Sequence, residues 1–219
     1  MLFLLLTVIM VLVMVAPCSA GVSDRSDHVL IIDPGHGGMD GGAVSHDGVQ
    51  ESAINLAVSE RMLSLCRLFG FRAEMTRSSE ALDYPAEETS VHAKKLWDLR
   101  RRADLVNQCS GAILLSIHQN FFPDARPSGT QVFYGGADGS REWGILLHDT
   151  LIRCLCPGNR RVAAPVSDQN YLMNSIRCPA LLVECGFLSN PNEAAMLADD
   201  AYQTALAAVI IGVCLQAFN

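Results

Sequence analysis

From residue 29 onward, short apolar β-branched runs alternate with segments of helical period, and that alternation is what most limits the fold. Residues 29–33, 71–76, 112–117, 130–134 and 180–183 read as strands. Between and after them, residues 51–69, 90–109, 141–155 and 201–218 carry apolar side chains at helical spacing. Several of the strand runs are apolar throughout rather than alternating, which suits strands buried on both faces. The pattern predicts an α/β fold: a single three-layer domain with a twisted, mostly parallel central sheet and helices on both faces. At 219 residues the chain is long enough for one such domain and a short appendage. Residues 35–49, 78–89, 119–129 and 157–169 read as loops.

The appendage is at the N-terminus. From residue 2 to 15 only Thr7 is polar, and the small residues of Cys18-Ser19-Ala20 follow. The run is shorter than the roughly 20 residues a membrane-spanning helix needs, and it suits the apolar core of a signal peptide. No Lys or Arg precedes it, so a retained anchor stays open beside a cleaved signal. The predicted organisation is residues 1–20 as signal peptide or N-terminal membrane anchor, 21–28 as linker and 29–219 as the catalytic domain. Either reading of residues 1–20 places the domain outside the membrane.

The net charge of −7 argues against a nucleic-acid partner, since the only cluster of cations is Arg100-Arg101-Arg102, expected here as a solvated helix face. The chain has eight cysteines. Cys66, Cys109, Cys185 and Cys214 lie among apolar residues and read as buried free thiols, with Cys154 and Cys156 undecided. No Cys-x-x-Cys pair is present, which disfavours a zinc site built from cysteine alone.

In an open parallel sheet, ligands bind beyond the carboxyl ends of the strands. Four polar residues fall there: His36 after the first strand, His118 and Glu184 ending two later ones, and Glu51 opening the first long helix. Two imidazoles and a carboxylate form a standard set for catalytic zinc, with a position left for water. A further carboxylate is then needed to move the proton of that water to the leaving group, and Glu184 is placed for that role. Taken singly, His118 reads as a structural histidine and Glu51 as a first-turn acid facing the helix dipole. Glu184 resists so simple an account, because an uncompensated carboxylate at the end of an apolar strand is unfavourable. The glycine-rich loop does not cradle a dinucleotide: Asp40 stands where the third glycine of that motif belongs, and no Walker lysine is present. His28, His46, His92 and His148 read as surface or structural, His46 alone being close enough in the loop to test.

At these residues the chain resembles the zinc-dependent N-acetylmuramoyl-L-alanine amidases of the amidase-3 type. The resemblance rests on IIDPGHGG at 31–38, Glu51 with Asn55-Leu56, Met75-Thr76-Arg77, residues 102–107, SIHQN at 116–120, Ser128-Gly129, and PALLVECGFLSN at 179–190. It implies zinc held by His36, Glu51 and His118, with Glu184 as the catalytic carboxylate. It also implies cleavage of the bond between N-acetylmuramic acid and L-alanine in peptidoglycan. Germination-specific cortex amidases are the similar subgroup among short members. The partners expected are peptidoglycan, a membrane if residues 2–17 stay as an anchor, and an activator protein if one shapes the groove. Two departures, Gln119 and Cys185, bear on the shape of the substrate groove. The competing readings are a zinc peptidase acting on the stem peptide and a non-catalytic wall-binding module. No segment of the chain is expected to cover the zinc, because the acidic loop before residue 90 is short and holds Pro85.

Overall fold

The computed structural model describes residues 28–218, so the signal or anchor expected at 1–20 and most of the linker lie outside the described residues. Six strands, β1 (Val29–Pro34), β2 (Ala73–Met75), β3 (Ala112–Asn120), β4 (Gln131–Tyr134), β5 (Ala164–Pro165) and β6 (Ala180–Phe187), form one sheet in the order β2-β1-β3-β6-β4-β5. The pairs β1–β2, β1–β3, β3–β6 and β4–β5 are parallel, and β4 runs antiparallel to β6. The mostly parallel sheet of the sequence reading is therefore present, with one reversed strand.

The two-residue period of each strand sorts its side chains between two cores. Leu30 and Ile32, Ile113, Leu115 and Ile117, and Leu181, Val183 and Cys185 face one core. Helices α1 (Glu51–Leu68), α3 (Ser140–Leu155) and α6 (Asp200–Ala217) cover it. Val29 and Ile31, Leu114, Ala180 and Leu182 face the other, under α2 (Val91–Gln108) and the short α4 (Tyr171–Ser175). Local signals set the helix ends: Ser90 Oγ accepts from Ala93 N at 3.1 Å to cap α2, and Asp199 caps α6 through Tyr202 N at 2.9 Å. The α6 helix is long and apolar enough to cross a membrane. Leu206, Ala207, Ile210, Ile211 and Cys214 are buried in the core beneath it, so it packs as a core helix.

Four elements differ from the sequence reading. Strands β3 and β6 run on past residues 117 and 183, because ladder hydrogen bonds pair backbone groups whatever the polarity of the side chain. Strand β5 lies within a segment read as loop, and α5 (Pro191–Leu197) falls where the sequence reading assigns no element. Asn190 starts α5, its side chain accepting from Asn192 N and Glu193 N, with Pro191 in the first turn.

Candidate metal centre

The alternation that fills the second core also assembles the site. Ser116 and His118 on β3, and Leu182 and Glu184 on β6, point to the α2 face, and His118 and Glu184 are direct partners in the ladder. His36 arrives from the turn after β1, with φ of 60°, a left-handed conformation uncommon for a residue with a Cβ. The turn must run very close to β3: a Cβ on Gly35 would lie 2.2 Å from His118 Nε2. Likewise a Cβ on Gly42, whose φ is +69°, would lie 2.5 Å from Glu51 Oε2. These two glycines are what allow the loop to fold over the cluster. Glu51, the first residue of α1, is 3% exposed.

Glu51 sits between the two imidazoles. Its Oε2 is 3.2 Å from His36 Nε2 and its Oε1 is 2.9 Å from His118 Nδ1. The rings meet edge to face with centroids 4.9 Å apart. One ligand atom from each of His36, Glu51 and His118 lies within 4.8 Å of the other two. Tetrahedral ligands at about 2.0–2.2 Å from a zinc ion stand roughly 3.4 Å apart, so this donor set fits such an ion. The carboxylate is held from behind as well: Ala43 N at 2.9 Å, Gln119 N at 3.0 Å and Asn55 Nδ2 at 3.3 Å all donate to it. Burial works against its charge, yet the two imidazoles outweigh burial and hold it well below the usual carboxylate range. Burial also works against a charged His36, but the carboxylates of Asp40 and Glu51 raise that imidazole to about 9. The pocket is thus set up to hold positive charge.

A second layer, largely invisible in sequence, carries the first. Asp40 Oδ2 lies 3.0 Å from His36 Nδ1 and 2.8 Å from Lys95 Nζ, so the far side of the ring is fixed by an ion pair. Beneath the loop, Arg102 is 1% exposed. It bonds Asp33 Oδ1 at 2.9 Å, Asp98 Oδ2 at 2.6 Å and the carbonyls of Pro34 and His36 at 2.7 and 2.5 Å. This corrects the expectation that residues 100–102 form a solvated face: Arg102 points inward, where only a buried acid and bare loop carbonyls can satisfy it. Arg77 works in the same way, donating to the carbonyls of Pro34, Gly35 and Ser52. Burial raises the Asp33 carboxyl, and Arg102, Thr76 and Ser116 outweigh that and lower it.

Glu184 is different. Its Oε2 is buried with no hydrogen-bond partner among the described residues. Burial pushes its carboxyl up to about 7, with His118 and His36 opposing and Glu51 adding. A carboxyl group poised in that range beside a cation site can exchange protons near neutral pH.

The four residues singled out in the sequence, His36, Glu51, His118 and Glu184, therefore converge on one rim. His46 does not join them: its side chain is 91% exposed and faces Asp47. His28 lies against the Phe218 ring, His92 is exposed on α2, and His148 is fully buried in α3 with neither ring nitrogen hydrogen-bonded among the described residues. Gln119 and Cys185, expected to alter the groove, point to the opposite face of the sheet from His118 and Glu184 and are buried there. Gln119 Nε2 bonds Asn55 Oδ1 at 3.1 Å, so the departure helps hold Asn55 against Glu51. The Asp40 role was missed, although its place four residues after His36 was a signal. The His36 and His118 side chains keep 19% and 20% of their surface exposed, at the edge of a cavity of about 250 Å³ also lined by Tyr84 and Tyr171. The described residues thus leave both imidazoles reachable from solvent, in line with an open site.

Comparison with known proteins agrees with this geometry. The family model described as Amidase_3, N-acetylmuramoyl-L-alanine amidase, matches residues 30–213. The germination-specific N-acetylmuramoyl-L-alanine amidase of Bacillus subtilis is 35% identical over 195 residues, covering 89% of this chain and 81% of that protein. Among solved structures, the CwlD amidase of Clostridioides difficile in complex with the GerS lipoprotein superposes with a TM-score of 0.80 at 31% identity, over 86% of this chain and 98% of that one. The N-acetylmuramoyl-L-alanine amidase AmiC2 of Nostoc punctiforme shares the fold, with a TM-score of 0.72 at 22% identity, over 86% and 96% of the two chains.

Proposed function

The chain belongs to the N-acetylmuramoyl-L-alanine amidase family, and on that premise we propose that it is a zinc enzyme acting outside the cytoplasm. Its substrate bond is the amide joining the lactyl group of N-acetylmuramic acid to L-alanine of the peptidoglycan stem. The observation that carries this reading is the pairing of a three-ligand cluster within 4.8 Å with a buried carboxyl oxygen that has no partner. His36, Glu51 and His118 hold the zinc, whose chemistry is to polarise a carbonyl and to acidify water. Glu51 balances the charge, and its three further hydrogen bonds keep it from swinging away. Asp40 keeps Nδ1 of His36 occupied, which leaves Nε2 to face the cluster. Glu184 Oε2 takes the proton of the attacking water and gives it to the departing amine of L-alanine. A binding module needs no such carboxyl group.

The germination-specific relative and the lipoprotein-bound neighbour support a finer reading: the wall attacked is spore cortex, and a lipoprotein is the partner. Residues 1–20, as a signal or an anchor, deliver the domain to that side of the membrane. Digesting vegetative wall and cortex with the purified protein tests the proposal. Expected products are free L-alanine amino groups with lactyl ethers intact; new termini within the stem peptide instead would make the chain a peptidase.

A further inference from the structure

Beyond the proposed centre, the same rim carries a second cavity of about 610 Å³ on the β4 side, lined in part by Ser128, Asn159, Arg160, Arg161 and Glu193. Within it, Arg161 is built into place. Its guanidinium donates to the carbonyl of Ser128 and to Asn159 Oδ1, and it lies 4.8 Å from the centroid of the Phe187 ring. Asn159 is in turn tied to the Thr130 carbonyl at 2.7 Å, and Gly129 leaves the space its side chain fills. Among the described residues no carboxylate pairs with Arg161. The one nearby acid, Glu193, is spent on backbone amides, accepting from Gly129 N at 2.7 Å and Phe187 N at 2.8 Å. A guanidinium oriented by neutral acceptors and an aromatic face, and in no direct ion pair among the described residues, is arranged to receive an anion.

The position suits one side of the substrate. Gln131 is the ladder partner of Glu184 and shares its face, and the Gln131 amide donates to the carbonyl of Val162, next to Arg161. The backbone of the Arg161 segment therefore runs about two strand spacings, roughly 10 Å, from that of Glu184, within the reach of about three extended residues. In a muramoyl peptide the lactyl carboxyl is consumed in the scissile amide, so the sugar side is neutral there and negative charge sits on the peptide. Apart from the proposed zinc ion, the described cations of the other cavity are engaged: Lys95 is paired with Asp40 and Arg102 with Asp33 and Asp98.

We propose that Arg161 binds a carboxylate of the stem peptide just beyond L-alanine, and so fixes which side of the cleft the peptide occupies and which stems are preferred. This rests on the amidase reading above and deepens it. Two synthetic muramoyl peptides test it, identical except that the carboxylate following L-alanine is free in one and amidated in the other. With the metal-loaded full chain, the free acid is preferred about tenfold in kcat/KM, mainly through KM, as expected for a bidentate charged contact. Arg161→Gln removes that preference by weakening the acid about tenfold and leaving the amide unchanged, while Arg161→Lys retains part of it. An equal fall on both substrates would make Arg161 a scaffold residue, and no fall on either would leave it without this role; both outcomes overturn the proposal. Binding of the acidic dipeptide L-alanyl-D-glutamate, followed by calorimetry, judges Arg161 separately from catalysis. A roughly tenfold loss in Arg161→Gln supports the contact even if neither substrate is cleaved, in which case the amidase reading is what fails.

Discussion

The two sides of the cleft obey opposite electrostatic rules. On the β1 side, polar groups at the heart of the cluster are matched: Glu51 by two imidazoles and three donors, His36 by Asp40, and Arg102 by Asp33, Asp98 and two loop carbonyls. On the β6 side, among the described residues, Glu184 keeps a buried oxygen without a hydrogen-bond partner, and Arg161 makes no direct ion pair. A matched network is rigid and holds a fixed geometry, which is what binding a metal requires. An unmatched group is unfavourable in the resting protein, but its capacity remains for a proton or a substrate. The lesson is that stability and reactivity occupy different strands of one sheet, β1 and β6 on either side of β3, and each side should respond differently to substitution.

The largest effect is expected on the matched side. Arg102→Met leaves Asp33 buried without its cation and Asp98 with Arg101 alone, and should destabilise the fold by about 3–5 kcal/mol. Chemical denaturation measures this, and a loss below 1 kcal/mol would mean that the network is looser than its distances indicate. Next in size, Glu184→Gln should leave zinc content and folding intact while turnover falls on the order of 10²-fold or more. His118→Ala is its contrast and should lower zinc content and activity together; metal analysis of the two variants separates the sides of the cleft. If His118→Ala keeps full zinc, His118 leaves the ligand set. The smallest effect tests the second layer. Asp40→Asn should weaken zinc binding by about tenfold without moving the melting temperature much, since Asp40 acts through the orientation of His36. A competition titration with a chromophoric chelator reads that change, and an unaltered affinity would confine Asp40 to its ion pair with Lys95.

Much of this site was legible in the amino-acid order. Strand–helix alternation announced the sheet, the carboxyl ends of its strands located the rim, and His36, Glu51, His118 and Glu184 stood out because ionisable residues at the ends of apolar runs need a reason. That much is local, written within a few residues of each position. Which partners those residues meet is not local. The inward course of Arg102, the pairing of Asp40 with both His36 and Lys95, and the placing of Gln119 and Cys185 on the far face depend on contacts between segments distant in the chain. The antiparallel course of β4, which brings Gln131 opposite Glu184 and the Arg161 segment to the cleft, depends on a connection whose direction no periodicity encodes. The order of residues was enough to read the fold class and to single out the four residues of the candidate site, because hydrophobic period and residue chemistry act at short range. Which charges are paired and which are not depends on the folded chain, because burial and ion pairing are settled when distant segments close on one another.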